Sequence, residues 1–374
     1  MHPIDVPQLE LPQVAGIAVR EAAAPPSPAD VQLVSNPRQF AALANEWECL
    51  HAAGVTASVF NTWMWHFAWW EQHGRPRTLK IVVARRAGRA IGIAPLYVQR
   101  SWGLRVLRLL GTQGDSNPYN IAPLFEPGDE AAAARALAPA ILAVQGYDVL
   151  ALADTAASIP LAMALAHAAQ AAALRYEIRR AKRLVHLPLP PSWNAYLGLL
   201  SSEQRARLRH RRQALLGAHA TRFFVWHTGV DAMLNALALL RRPSAAQHPS
   251  LQRATLAEAL QEGRLRLYCL QIDGQIAALA CAVRLRERMV VMQTEFDPRH
   301  AAWRPVSVLL QYAIEHAIEE GAKGFDFLRG REDGEDELAP GTEQIGVTVF
   351  RSAIAAAAFR ARKILTVRSV AAQP

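Results

Sequence analysis

The residues most able to do chemistry lie late in the chain, where the run MVVMQTEFD carries Glu295 near its end and is followed by Arg299, His300 and Arg304, just ahead of Pro305. A carboxylate at a strand end can take a proton from an amine, and guanidinium groups can hold phosphate or carboxylate. A helix opening at Pro305 would add the N–H groups of Val306 and Ser307, which together with the helix dipole favour an anion. Asp326, between two phenylalanines in GFDFLRGRE, is a second acid that could orient an acceptor or share the role of base, with Arg329 and Glu332 close behind it. In the first half, Asp115, Asn117 and Tyr119 in the loop Gly111–Asn120 could hold a polar substrate, and Trp65 could form an apolar wall beside it. Each position has a structural reading as well. Glu295 could pair with an arginine, Asp326 could cap or pair, the loop could be an ordinary turn, and core packing is the favoured role for the tryptophans. His300 stands alone, and no His/Cys/Asp/Glu spacing points to a metal.

These residues must be positioned by a scaffold, and the chain repeats one piece of scaffold. LKIVVARRAGRAIGIAP (Leu79–Pro95) is echoed by LRLYCLQIDGQIAALAC (Leu265–Cys281): an apolar strand, a polar turn ending in Gly88 or Gly274, and a second apolar strand. Together with a length of 374 residues, this predicts two related lobes. Residues 1–30, rich in Pro and Ala, are expected to be a disordered tether, 31–186 a first lobe and 187–374 a second lobe carrying the candidate site. Leu187–Pro191 would be the crossover. Asn36-Pro37 marks a helix start, SVFNTWMWHFAWWEQHG a second helix from about Ser58, and PVSVLLQYAIEHAIEEG a helix with Val306, Leu310, Ala313, Ile314 and Ala317 on its buried stripe. Strands and helices in this alternation predict an α/β (α+β) fold with mixed, mostly antiparallel sheets flanked by helices.

Composition narrows the class. Hydrophobic residues at 51% and charged residues at 20% describe a globular chain. The net charge of +9 favours an anionic partner. Its densest source, EQRARLRHRRQ (Glu203–Gln213), reads as a connector helix or an anion-binding helix, with nucleic acid a minor option because no aromatic interleaving accompanies it. Cys49, Cys269 and Cys281 are scattered, which suits a reducing, cytoplasmic setting. No secretory signal and no transmembrane segment is expected.

The order of FNTWMWHFAWW, GRAIGIAPLYV, LLGTQGDSNPYN, LSSEQRARLRHRRQALL, EFDPRHAAWRPVSVLLQYAIEHAIEEG and DFLRG resembles the acetyltransferase-like proteins of the CelD/BcsL type. These belong to the GNAT superfamily and are similar to FemAB-type transferases. The resemblance covers nearly the whole chain after residue 30. It implies tandem GNAT-like lobes and transfer of an acyl group, usually from acetyl-CoA or another acyl-CoA, to an amine or hydroxyl of a small molecule or envelope polysaccharide precursor. Arg299, His300, Arg304, Val306 and Ser307 would then contact the donor.

Three departures stand out. The GNAT pyrophosphate loop has glycines that let backbone amides reach the phosphates, whereas Arg299–Val306 reads RHAAWRPV and has none. The family's Pro-Gly at this helix start is Pro305-Val306 here, and its Tyr-Lys after the DFxxG strand is replaced by Asp333-Gly334-Glu335. Three functions therefore stay open: an acyltransferase, a FemAB-like aminoacyl transferase using charged tRNA, and a non-catalytic binding protein that keeps the fold.

Overall fold

The computed structural model describes residues 29–54, 58–112, 120–156, 159–227, 229–240, 249–329 and 341–371. In the first half, β1 (Asp30–Val34) leads to α1 (Pro37–Ala42), α2 (Ala44–Ala53) and α3 (Trp63–His73). There follow β2 (Thr78–Leu79), β3 (Ile81–Arg86), β4 (Arg89–Ala94), β5 (Leu96–Ser101), β6 (Leu104–Leu109), β7 (Leu124–Phe125), α4 (Glu130–Ala143), β8 (Val149–Ala156), α5 (Pro160–Ala171) and β9 (Arg175–Pro188). The second half runs through α6 (Trp193–Leu199), α7 (Ser202–Ala218), β10 (Thr221–Val225), α8 (Val230–Leu240), α9 (Pro249–Gln261), β11 (Leu265–Ile272), β12 (Gln275–Leu285) and β13 (Arg288–Phe296). It closes with α10 (Pro305–Glu319), β14 (Gly324–Arg329), β15 (Gly341–Phe350) and α11 (Ala353–Ala371).

The repeated hairpin is repeated in detail. Ala87-Gly88 and Asp273-Gly274 have φ near 49° and 80° and near 50° and 81°, the two left-handed residues of a type I′ turn that matches strand twist. The spacing that superposes Gly88 on Gly274 also superposes every strand pair: Val82↔Ala94 on Tyr268↔Ala280, Arg86↔Arg89 on Ile272↔Gln275, and a register shift after Ala84 on one after Leu270. The copies then part at Pro95. It cannot donate to a ladder, and it separates β4, in a four-stranded sheet β1-β3-β4-β7, from β5 in the larger sheet. The corresponding Cys281 sits at a shift in the β12–β13 register, which β12 crosses unbroken.

The larger sheet has eleven strands in the order β10-β11-β12-β13-β14-β9-β15-β8-β6-β5-β2. β13 and β14 are parallel, as are β6 and β8. At the centre β9 and β15 pair antiparallel, from Arg175↔Phe350 to Val185↔Gly341. β9 follows the first lobe in sequence but pairs with β14 of the second, and β15 follows the second lobe but pairs with β8 of the first. The arrangement is pseudo-twofold about that central ladder. The tandem α/β lobes stand as expected, but the boundary at 186/187 falls inside β9, and Leu187 and Pro188 belong to a strand rather than a crossover. β15 and α11 likewise pack on the first lobe, through Phe350, Ala355 and Phe359 against Val106 and Val149. The expected tether lies outside the described residues, except that β1 already begins at Asp30.

Helices cover the sheets as their apolar stripes dictate. α10 lays Val306, Leu309, Ala313, Ile314 and Ala317 against Ala278, Ala280 and Ala282 of β12. α4 and α5 do the same for the first lobe through Leu137, Ile141, Leu161 and Leu165. Each such fully buried Leu or Ile contributes about 1.5–3 kcal/mol. Gly92 admits α4, since a Cβ there would stand 2.8 Å from Cβ of Ala133. Asn36 caps α1 by accepting from Gln39 N–H at 2.9 Å, as its position before Pro37 predicts.

His66 of α3 is fully buried, 4.9 Å from the Trp47 ring. Burial, reinforced by nearby His51, pushes its imidazole down from about 6.5 to about 3. The unfolded chain would take up a proton there that the folded chain refuses, so this contribution is intact above pH 6.5 and is lost as pH falls toward 3. Stability measured by denaturant unfolding is expected to decline over that window by up to about 1.4 kcal/mol per pH unit from this group, and His66→Phe to flatten the decline.

Candidate functional site

The divergence of two parallel strands creates the site. β13 and β14 pair only at Arg288↔Gly324, Met289↔Phe325 and Val290↔Asp326, yet β13 runs on to Phe296 and β14 to Arg329. The β12–β13 register shifts between Cys281 and Ala282 just beyond that last rung, bending β13 away. β6 and β8 likewise pair at Val106↔Val149 and Leu107↔Leu150 and then continue unpaired with each other. Each lobe thus carries one cleft, and because the pairings β14–β9, β9–β15 and β15–β8 are all antiparallel, the two open at opposite ends of the sheet.

The helix beside each cleft decides what it can receive. α10 opens with Pro305 after Arg304, whose φ of 47° is left-handed, and has neither a side-chain cap nor an acid in its first turn. The N–H groups of Val306 and Ser307 have no intrahelical acceptor at these positions. α7 lies across this end, with Arg211 donating to Ser307 Oγ at 3.0 Å and Arg212 to Glu315 at 3.0 Å. The result is a positive corner. α4, its counterpart in the first lobe, starts with Asp129 and Glu130, and its approach carries Glu126. Arg86 and Arg89 already neutralise Asp129 and Glu126, at 2.6 and 2.8 Å. An anion is therefore favoured at α10 and opposed at α4.

Glu295 and Asp326 share one face of the sheet without touching. Glu295 pairs with Leu279 and Gln293 with Cys281, placing them on the side packed by Met233 and Leu237 of α8 and Leu256 of α9. Asp326 stands opposite Val290, which faces Val283 of the same cluster. Five strand positions separate Val290 from Glu295, roughly 16 Å at about 3.3 Å per residue. Glu295 accepts from Gln293 Nε2 at 2.9 Å. Asp326 is engaged by His186 Nδ1, with Arg288 Nη1 4.0 Å from its other oxygen.

Other expected residues have different work. Trp65 is fully buried, with its ring 4.8 Å from Phe60; it is core, not a substrate wall. Arg299 does not face the positive corner freely, because it grips both oxygens of Asp297 and reaches Gln275 at 3.2 Å. That guanidinium holds the Asp297 carboxyl below its usual range, and the pair locks the 3-10 turn at Pro298–Trp303. His300 lies on that turn 6.4 Å from His219, which binds Asp273 at the hairpin tip at 2.8 Å. Asp115, Asn117, Tyr119 and Glu332 lie outside the described residues, as does the side chain of Arg329.

Two residues at the site were not singled out by sequence. Arg211 was one of several arginines in a basic run, and only the α7–α10 packing distinguishes it. His186 sits in a strand whose charged sequence, RYEIRRAKRLVHLP, gives no clean alternation. Gly324 accommodates it, since a Cβ there would come within 2.7 Å of His186 Cε1. Among the described residues no group of three His, Cys, Asp or Glu could hold a metal ion, and no helix is long and apolar enough to cross a membrane.

The paired lobes with diverging parallel strands make a tandem GNAT-like fold. Residues 202–334 match the acetyltransferase (GNAT) domain family, a span that covers α7 through β14 and so the positive corner. The chain is similar in structure to the DUF2156 C-terminal domain of a lysylphosphatidylglycerol synthetase candidate from Agrobacterium fabrum, with 11% identity, TM-score 0.53, and 87% of this chain and 97% of that one covered. It is similar also to FemX, with 9% identity, TM-score 0.53 and coverage of 82% and 96%. A conserved protein of unknown function from Bacteroides thetaiotaomicron VPI-5482 aligns at 10% identity, TM-score 0.52, over 86% and 100%. At these identities the likeness is one of fold. No curated protein matches the chain.

Trp65→Ala is expected to cost about 3–5 kcal/mol of stability in thermal or denaturant unfolding. Arg299→Ala, which removes an ion pair at the surface, should cost under about 1 kcal/mol by the same measurement.

Proposed function

We propose that the protein transfers an acyl group from a thioester donor, acetyl-CoA or another acyl-CoA, to an amine or hydroxyl of a small molecule or envelope polysaccharide precursor. The observation that carries this reading is the asymmetry between the lobes: an uncapped, acid-free helix start with Arg211 beside the β13–β14 cleft, against an acidic start beside the other. The family match over that same lobe supports it. Donor phosphates would rest on Val306 and Ser307 N–H, with Arg211 and Arg304 close at hand. Because the 299–306 loop lacks glycine, this end of the helix and its arginines replace the usual glycine-lined approach.

The donor's acyl carbon would lie where β13 leaves β14, and the acceptor would arrive from the α8–α9 face. Glu295 on that face is proposed to pair with an acceptor ammonium, and Asp326 to act at the root of the cleft. An arrangement of this kind gains its rate from holding the reactants in line and from donors aimed at the developing oxyanion. A tRNA-dependent aminoacyl transfer has less support, because four arginines of the basic helix are already engaged within the chain: Arg205 reaches Leu197 O, Arg207 Glu203, Arg211 Ser307 and Arg212 Glu315.

Thermal unfolding with acetyl-CoA and with a long-chain acyl-CoA tests the proposal. A donor at a hundred times its Kd should stabilise by about 2.7 kcal/mol, with the shift lost in Arg211→Glu and kept in Glu130→Gln. Absence of a shift with either donor would overturn the donor assignment.

A further inference from the structure

We propose that His186 is the catalytic base of this site, held in its working tautomer by Asp326 as a positioning residue; this rests on the acyl-transfer reading above. Asp326 lies on the last rung that β13 and β14 share, where the two strands begin to separate, so it marks the depth at which a thioester wedged between them would stop. Across β14's other edge, Asp326 pairs in register with His186 of β9. Directly opposed residues on neighbouring strands share a face, so the imidazole projects on the α8–α9 side, the side from which an acceptor would approach. One Asp326 oxygen meets His186 Nδ1. A carboxylate accepts from Nδ1–H, which leaves the lone pair on Nε2 free to take a proton.

The pair is built rather than incidental. The imidazole packs on the bare Cα of Gly324, where any Cβ would collide with Cε1 at 2.7 Å. Asp326 is 21% and His186 30% exposed, so the couple is sheltered yet reachable. Arg288 Nη1 flanks the second oxygen of Asp326 at 4.0 Å. Glu295 lacks these properties: it lies five positions further along β13 and is hydrogen-bonded to Gln293.

The step balances without a co-reactant. His186 Nε2 removes a proton from the acceptor amine or hydroxyl as that atom bonds to the thioester carbonyl carbon. The tetrahedral intermediate collapses, the C–S bond breaks, and the imidazolium returns its proton to the leaving thiolate. The products are the acylated acceptor and free thiol.

Two measurements test this on the full chain. In the first, diethyl pyrocarbonate modification followed by peptide mass spectrometry reads the availability of each histidine. His186 should react readily at pH 7, and Asp326→Asn should change its rate more than that of His300. An unreactive His186 overturns the assignment, whether or not any acceptor has been found. In the second, thiol release from acetyl-CoA is followed with a panel of amines (an amino sugar, a polyamine, an amino acid). His186→Gln is expected to lower kcat by about 10²- to 10⁴-fold with KM for acetyl-CoA unchanged, and His186→Gly to regain turnover with added imidazole. Gly324→Ala, which displaces the ring, should mimic His186→Gln if the melting profile shows that it folds. Wild-type turnover matched by His186→Gln would reject the base. Failure of acetyl-CoA to bind or turn over in the wild type would instead reject the acyl-transfer reading, leaving the modification result to judge His186.

Discussion

The antiparallel ladder between β9 and β15 is the constraint on which the rest of the molecule depends. Each of these strands leaves its own lobe and completes the other, so two modules that could have been joined by a linker are fused into one eleven-stranded sheet. Backbone hydrogen bonds are directional and must be satisfied along the ladder, so the relative placement of the lobes is fixed by register. That register sets the diverging pairs β6/β8 and β13/β14 in opposite directions, so that they open at opposite ends of the sheet. The clefts owe their orientation to the ladder, whereas their chemistry comes from the helices beside them.

The two halves show how a repeated scaffold can be specialised by few changes. The hairpins keep identical registers and turn geometry, so the backbone requirement has been preserved in both. At the helix that follows, one copy presents Glu130 beside Asp129 and Glu126, the last two paired with Arg86 and Arg89, while the other presents Pro305, Ser307 and the arginine of a crossing helix. Local charge, with no change of fold, separates a cleft that repels an anion from one that attracts it. Pro95 marks a second divergence, splitting one continuous strand into two that serve different sheets.

Much of this architecture was legible in the sequence because it is written in short-range signals. Gly88 and Gly274 announce the turns, Asn36-Pro37 announces a cap, and the spacing of Val306, Leu310, Ala313 and Ala317 announces the buried stripe of α10. β9 was missed because it carries its charges on both faces and is held by ladder bonds rather than by an apolar side; Tyr176 and Ile178 remain 38% and 44% exposed. The expected crossover at Leu187 falls on the end of this same strand. At the site, Glu295 and Asp326 were recognisable as acids near a strand end, but their partners were not. The residue that engages Asp326 lies in the unanticipated strand, and the partner of Arg299 is Asp297, two residues away, whose grip on the turn looks in sequence like any other acid in a loop. Trp65 illustrates the opposite difficulty, since several tryptophans crowded into one helix reveal burial only once the neighbours are known.

The exchange of β9 and β15 also bears on heredity. A gene cut at its apparent midpoint would encode two pieces, each carrying a strand whose mate is on the other and each exposing a long unsatisfied edge prone to sticking. Neither piece could be inherited, shuffled or lost alone without that penalty. The two halves are thus bound into a single folding unit, since each lacks a strand partner that only the other supplies.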